Sequence, residues 1–204
     1  PELNLRRPFC IHHTKGDTVY ILFRIRGTGT KLLSQMKPGD TLDVLGPLGN
    51  GFAFGNSPRQ ILVAGGMGVA PLVSLAAKLT EIRNFKSEIR NDFLAILGAR
   101  AKDEVLCAKD FEHYGFEVRI ATDDGSEGFK GNAVQLLEKV LSTGGRSAAP
   151  TDLYICGPSV MFRETARVIG GYPDIHAQAS FEQFMGCGIG TCRACVIQTR
   201  SGYQ

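Results

Sequence analysis

No stretch of this 204-residue chain approaches 18 consecutive apolar residues, the length a helix needs to cross a membrane. The amino terminus also lacks the basic-then-apolar layout of a secretory signal. Charge of one sign is equally scarce. Lys and Arg number 23 against 20 Asp and Glu, a net +3, far short of the clustered basic surface that tracks nucleic-acid phosphates. Internal repeats and low-complexity tracts are missing too. These absences lead to the expectation of a soluble, cytoplasmic protein with no membrane or nucleic-acid partner. Hydrophobic residues at 43% and charged residues at 21% match ordinary globular usage, and the length suffices to bury a core. Glycine departs from that pattern: 25 in 204 is nearly twice the usual share of about 7%.

Half of the six cysteines fall within nine residues, so their spacing is more informative than their number. Cys187, Cys192 and Cys195 read C-x4-C-x2-C, the first three ligands of the plant-type [2Fe-2S] arrangement. Gly186, Gly188 and Gly190 interleave with them. Bridging sulfides and thiolates carry negative charge, so the loop must curl tightly and turn its amides inward, which glycine permits at positive φ. A zinc knuckle or an inert thiol cluster is the alternative, although zinc sites more often repeat a short C-x2-C pair. Nine residues follow Cys195 and none is cysteine. Cys10, Cys107 and Cys156 lie far upstream in segments of other character, so the fourth ligand is expected beyond Gln204. The chain begins at Pro1 without an initiator Met, and it is expected to be a piece of a longer protein.

Two patterns divide the rest. Residues 5–12, 17–26 and 40–46 read as short strands, broken by Gly16, Gly27, Gly29 and Pro38-Gly39. From Gln60 onward, apolar strands near 61–64, 93–97, 118–121, 153–156 and 176–180 alternate with helices expected from Pro71, over 132–141 and over 159–169. Continuous apolar strands with crossover helices mean a parallel sheet covered on both faces. The boundary between the patterns falls near 55–58, and residues 142–150 read as a loop.

Ile61 through Pro71 reads as a strand, a glycine turn and a helix start. Gly65 ends the strand, and Gly66-x-Gly68 lets backbone approach a pyrophosphate. Ala70 and Pro71 open the helix whose free amides and dipole attract the anion. Pro71 replaces the third glycine of the common fingerprint, so a plain strand-to-helix turn is the competing reading. Leu72, Leu75, Ala76 and Leu79 form the expected buried helix face. Ligand crevices in open α/β sheets lie at the carboxyl ends of strands. Arg100, Asp124 and the Cys156-Gly157-Pro158 turn occupy three such ends. Arg100 suits a phosphate or plain surface charge, which leaves NAD and NADP both open. Cys156 is either a small core residue or a contact for nicotinamide.

In order and spacing, several segments resemble one family over nearly the whole chain. They are 6–11, 27–33, 37–40, 46–52, 65–71, 123–126, 156–158 and 182–195. The family is that of electron-transfer subunits of NAD-dependent (type B) dihydroorotate dehydrogenase, within the ferredoxin-NADP reductase superfamily. The resemblance implies a partial antiparallel FAD-binding β-barrel over 1–56. An α/β parallel-sheet NAD-binding domain would follow over 57–180, and an incomplete [2Fe-2S] segment over 181–204. It further implies that Arg7 and Pro8 meet the FAD pyrophosphate, that Phe9 lies against the flavin, and that Cys10, where the family commonly has Ser or Thr, sits near flavin N5. Gly27, Gly29 and Thr30 would serve the FAD phosphates. Cys10 and Cys156 are the expected catalytic pair. The barrel strands that normally precede the Arg-Pro motif are not present, so weak FAD retention by the chain alone is expected.

The implied partner is an FMN-containing dihydroorotate dehydrogenase catalytic subunit in a heterotetramer serving pyrimidine (UMP) biosynthesis. Its electrons would pass through [2Fe-2S] and FAD to NAD+. Phe181, Phe184, Met185 and Ile189 would line the contact or pack in a core. A related diaphorase subunit of a hydrogenase, sulfide dehydrogenase or ferredoxin:NADP+ oxidoreductase is the enzymatic alternative. A non-catalytic iron-sulfur sensor is the other.

Overall fold

The computed structural model describes residues 6–85, 92–143, 149–200 and 202–203. A hairpin of β1 (His13–Lys15) and β2 (Thr18–Tyr20) precedes a short helix α1 (Thr28–Leu33). A parallel sheet then alternates with helices. It runs through β3 (Arg59–Gly65), α2 (Val69–Phe85), β4 (Asp92–Ala99), α3 (Ala108–His113), β5 (Glu117–Thr122) and β6 (Phe129–Lys130). It continues through α4 (Ala133–Thr143), β7 (Thr151–Cys156), α5 (Ser159–Ile169) and β8 (Ile175–Ser180). A terminal hairpin pairs β9 (Gln198–Thr199) with β10 (Gly202–Tyr203).

The six-stranded order is β6-β5-β4-β3-β7-β8, parallel throughout. Strand β3 is buried along five of its seven residues because helices cover both faces. Ile61 and Val63 face a layer with Leu137, Val140 and Phe162 of α4 and α5. Leu62 and Ala64 face Leu72, Leu75 and Ala76 of α2, together with Phe111 of α3. Period-two alternation inside an entirely apolar run is the mark of a strand sandwiched between two helical layers. Helix α4 starts where Asn132 accepts the Val134 and Gln135 amides, each at 3.0 Å, while Gln135 accepts the Asn132 amide at 2.9 Å. This reciprocal cap anchors the helix against the sheet.

The first 54 residues depart from expectation. Among the described residues, 6–12, 21–26 and 40–46 form no strand, and only the short β1-β2 hairpin of the expected three strands is paired. A strand exists through its ladder, and these segments find no ladder partner among the described residues. Among the described residues, every buried hydrophobic side chain lies at or after Ile61, while Ile25, Leu42, Val44 and Leu48 are exposed. The glycines at 27 and 29, read as breakers, flank the start of α1 instead. Helix α2 begins at Val69 rather than Pro71, which sits in its first turn. In the expected loop over 142–150, α4 reaches Thr143 and residues 144–148 lie outside the described residues.

A buried polar network fastens the connecting segment 52–57 to the sheet. The Ser57 amide and Gln60 Nε2 donate to Asp152 Oδ2 at 2.9 and 2.8 Å, and Gly55 N donates to Tyr154 Oη at 3.0 Å. Gln178 exchanges two hydrogen bonds with the Ala53 backbone, at 2.8 and 2.9 Å. A Cβ on Gly55 would stand 2.1 Å from Asp152 Oδ2, so only glycine admits the strap this closely. Replacing Asp152 with Ala leaves two donors unanswered in a 5%-exposed site. The expected cost is about 2–3 kcal/mol, read as a lower denaturation midpoint with an unchanged m-value.

Candidate functional site

The crevice follows from strand order. From β3 the chain moves one way to β4 and β5, then returns to place β7 on the other side of β3. The loops leaving β3 and β7 therefore diverge at their carboxyl ends, the place where open α/β sheets take ligands. Here two glycine turns meet. A Cβ on Gly68 would lie 2.0 Å from the Cys156 carbonyl oxygen, and one on Gly65 would lie 2.9 Å from Pro158 Cδ. Gly157 is equally pressed, with its would-be Cβ 3.1 Å from Gly65 Cα. Gly66 has open space but φ of +53°, a backbone conformation that glycine adopts without cost. The first turn of α2, with Ala70 and Pro71, rises directly from this contact.

Arg100 is exposed at the end of β4, and its carbonyl accepts the Asp124 amide at 3.2 Å. Asp124 closes its own turn: Oδ1 accepts the Ser126 amide at 2.9 Å and hydroxyl at 2.6 Å. Those bonds hold its carboxyl below the usual range. Ser126 in turn accepts the Lys102 amide at 2.8 Å, so the loops after β4 and β5 are tied together.

Cys156, 3% exposed, ends β7 in register with Ser180 at the end of β8. The Ser180 hydroxyl hydrogen-bonds the Cys156 sulfur, and Cys10 and Glu182 lie close enough to act on it electrostatically. Burial first, then Cys10, pushes the Cys156 thiol up to about 12. Lost hydration, then Glu182, raises the Cys10 thiol as well. Both sulfurs are therefore neutral S–H groups near pH 7, suited to contact and weak donation rather than nucleophilic attack. The two expected catalytic cysteines are thus near enough for each charge to influence the other. Ser180 and Glu182 complete the group without having been singled out as site residues. The available signal was positional, since Ser180 ends the strand beside β7.

The rest of the expected flavin set lies in the first segment. Arg7 and Pro8 are exposed, and Phe9 is 37% exposed with its ring edge-on to Phe23 at 6.0 Å. Arg6 pairs with Asp43. Thr30 Oγ1 accepts the Arg26 and Gly27 amides at 2.9 and 3.2 Å and donates to the Gly27 carbonyl at 3.1 Å. Its hydroxyl therefore shapes the Gly27–Gly29 turn.

The cysteine loop curls as its glycines require: Gly188 and Gly190 have φ of +74° and +80°, and Arg193 has +55°. The Cys192 amide donates to Cys187 Sγ at 3.4 Å, with further help from the Ile189 and Thr191 amides. These donors, Cys192 first, pull the Cys187 thiol down to about 6, so the loop is arranged for a thiolate. A Cβ on Gly186 would stand 3.1 Å from Cys192 Sγ. Cys187, Cys192 and Cys195 do not form a trio within 4.8 Å; among the described residues only His12, Cys107 and Asp110 do. Mononuclear zinc gathers its ligands that tightly, whereas a two-iron centre spreads them over two metals. The loop fits the latter.

Residues 182–204 match the iron-sulfur cluster binding domain of dihydroorotate dehydrogenase B, and residues 62–167 match the oxidoreductase NAD-binding domain. The electron transfer subunit of dihydroorotate dehydrogenase B (NAD(+)) from Desulforamulus reducens is 41% identical over 198 residues. That match spans 95% of this chain and 71% of the relative. The subunit of the same name from Enterococcus faecalis is 36% identical, covering 98% and 73%. The chain belongs to the dihydroorotate dehydrogenase B electron transfer subunit family.

The architecture of this family member agrees with solved structures. An NADH-dependent reduced ferredoxin-NADP oxidoreductase matches with a TM-score of 0.77 at 28% identity, covering 98% of this chain and 69% of that one. The flavohem-like FAD/NAD-binding domain of nitric oxide dioxygenase from Vibrio cholerae shares the fold, with a TM-score of 0.62 at 19% identity over 85% of this chain and 76% of that one. The ferredoxin-NADP reductase-like fold expected from the motifs is thus the fold present, with NAD, FAD and [2Fe-2S] as its cofactors. In this electron transfer subunit, Gly68→Ala drives a methyl into the Cys156 carbonyl. The apparent NADH affinity is expected to fall at least about tenfold, or about 1.4 kcal/mol, with far-UV circular dichroism unchanged. Titration of NADH quenching measures it.

Proposed function

We propose that the chain is the electron-carrying subunit of an NAD+-dependent dihydroorotate dehydrogenase, working with an FMN-containing catalytic subunit in a heterotetramer of pyrimidine biosynthesis. The observation that carries this reading is the close packing of the glycine turns after β3 and β7 at the strand-order switch point, in a chain that also holds a cysteine loop arranged for a thiolate at Cys187. The chemistry supplied when the groups are bound is exchange between the two electrons of one nicotinamide hydride and single electrons at an iron-sulfur centre, with flavin as converter.

The chain's own residues do the positioning. Gly65, Gly66 and Gly68, with Ala70 and Pro71, would admit the NAD pyrophosphate to backbone amides, and Gly157 and Pro158 would wall the nicotinamide side. Arg100 and Asp124 would line the adjoining strand ends. Arg7, Pro8, Phe9, Gly27, Gly29 and Thr30 would hold FAD, with the open face of Phe9 against the ring system. Cys10 and Cys156, both kept neutral chiefly by burial, would pack between flavin and nicotinamide. Cys187, Cys192 and Cys195 would ligate the [2Fe-2S] centre. Phe184, 93% exposed, with Ile189 and Met185, supports a partner surface beside that loop rather than core packing; Phe181 packs partly on Phe162 at 4.3 Å. Division into 1–56, 57–180 and 181–204 follows these roles. A chain with a cysteine loop arranged for an iron-sulfur centre and no disulfide among its cysteines suits the reducing cytoplasm; no helix among the described residues is long and apolar enough to cross a membrane.

Anaerobic stopped-flow mixing with NADH tests the reading in the complete two-subunit protein. NADH should bleach the bound flavin in wild type and in Cys187→Ser alike. Cys187→Ser should lose cluster iron, and electron delivery between dihydroorotate and NAD+ should drop to background. Flavin left unbleached by NADH in wild type would overturn the proposal in favour of a non-catalytic sensor.

A further inference from the structure

One group of metal-ligating side chains stands outside the electron-transfer path. A ring nitrogen of His12, Cys107 Sγ and an Asp110 carboxyl oxygen all lie within 4.8 Å of one another. They come from distant parts of the chain. His12 precedes the β1-β2 hairpin, Cys107 is the residue before α3, and Asp110 lies in the first turn of α3. A tetrahedral shell with bonds of about 2.0–2.3 Å holds neighbouring ligand atoms about 3.3–3.8 Å apart, so adjustments near an ångström close the group on an ion.

Two details set these residues in a ligating state. His12 Nδ1 lies 3.2 Å from the Ala70 carbonyl. A carbonyl only accepts, so Nδ1 carries the proton and Nε2 keeps its lone pair, the tautomer that binds metals with a carbonyl as outer partner. Cys107 has φ of +60°, a left-handed conformation that is unusual for a non-glycine residue. From that position its thiol hydrogen-bonds the Asp110 carboxyl, and a cation would take the place of the shared proton. Without an ion Cys107 is a neutral thiol held by the Asp110 carboxylate; with one bound, a thiolate, an imidazole and a carboxylate form a mixed N/S/O set suited to zinc-class divalent ions.

We propose that His12 Nε2, Cys107 Sγ and Asp110 bind one zinc-class divalent cation, clasping the hairpin segment to the nucleotide domain. Binding expels the Cys107 proton to solvent, leaves His12 neutral and keeps a fourth position for water. Through the Ala70 carbonyl, the clasp also braces the first turn of α2, where the dinucleotide is to sit.

The test loads the full chain, with its iron-sulfur centre and flavin in place, with zinc chloride and removes excess by gel filtration. Metal analysis should find about one zinc per chain, unchanged in Cys187→Ser. The zinc X-ray absorption shell should contain one sulfur near about 2.3 Å and nitrogen or oxygen near about 2.0–2.2 Å. Cys107→Ser, His12→Gln and Asp110→Asn should each weaken binding at least about tenfold and abolish the zinc-dependent rise in unfolding temperature, with iron content unaltered. The use of three variants guards against one that fails to fold. Zinc binding equally to all three, a shell of three or four sulfurs, or no zinc retained by wild type would each overturn the proposal. Because iron loading and zinc loading are read separately, failure of the clasp leaves the electron-transfer reading standing.

Discussion

The governing constraint in the molecule is the contact between two backbones at the carboxyl ends of the central strands β3 and β7. Gly68 packs so near the Cys156 carbonyl that any side chain at 68 would begin inside it. That contact exists because β3 and β7 are neighbours although β4, β5 and β6 intervene in sequence. Parallel pairing brings their carboxyl ends level, Ala64 beside Cys156, and the two turns must then share one small volume. Glycine on both sides makes this possible. The crevice, the emergence of α2 and the placement of Cys156 all depend on it.

Electrostatics then divides the cysteines by role. Cys156 is buried in an apolar strand end, and Cys10 is raised first by lost hydration and then by Glu182, so both remain thiols. Cys187 is surrounded by amides and becomes the thiolate-prone member. The same side chain is inert in one place and a ligand in another because burial penalises charge while oriented N–H groups favour it. Cys107 is of a third kind, half-buried beside Asp110 in a left-handed backbone with an imidazole at hand.

The two halves of the chain owe their order to different sources. Among the described residues, the sheet, its helices and Phe116 beside them carry the buried hydrophobic core, whereas the first 54 residues leave most of their large apolar side chains in contact with solvent. What ties the connecting segment to the sheet is polar. Asp152, Tyr154, Gln178 and Gln60 are strand residues of the nucleotide domain, and they answer the backbone of 53–57. The entry of the chain into β3 is therefore fixed by hydrogen bonds whose partners lie about a hundred residues apart in sequence.

The amino-acid sequence by itself determined the apolar strands at 61–64, 93–97 and 153–156, helix α5 and the glycine turn. It also determined the C-x4-C-x2-C loop, because each is a local pattern whose chemistry is complete within a dozen residues. It misjudged the strands before residue 47, since a strand needs a ladder partner that no local pattern supplies. It missed α1 and α3, helices of only six residues each. Only the tertiary structure decided that Cys10 comes near Cys156, that Ser180 and Glu182 join them, and that His12 faces Cys107 and Asp110. Those encounters follow from strand order and long-range polar contacts, which spacing along the chain does not encode.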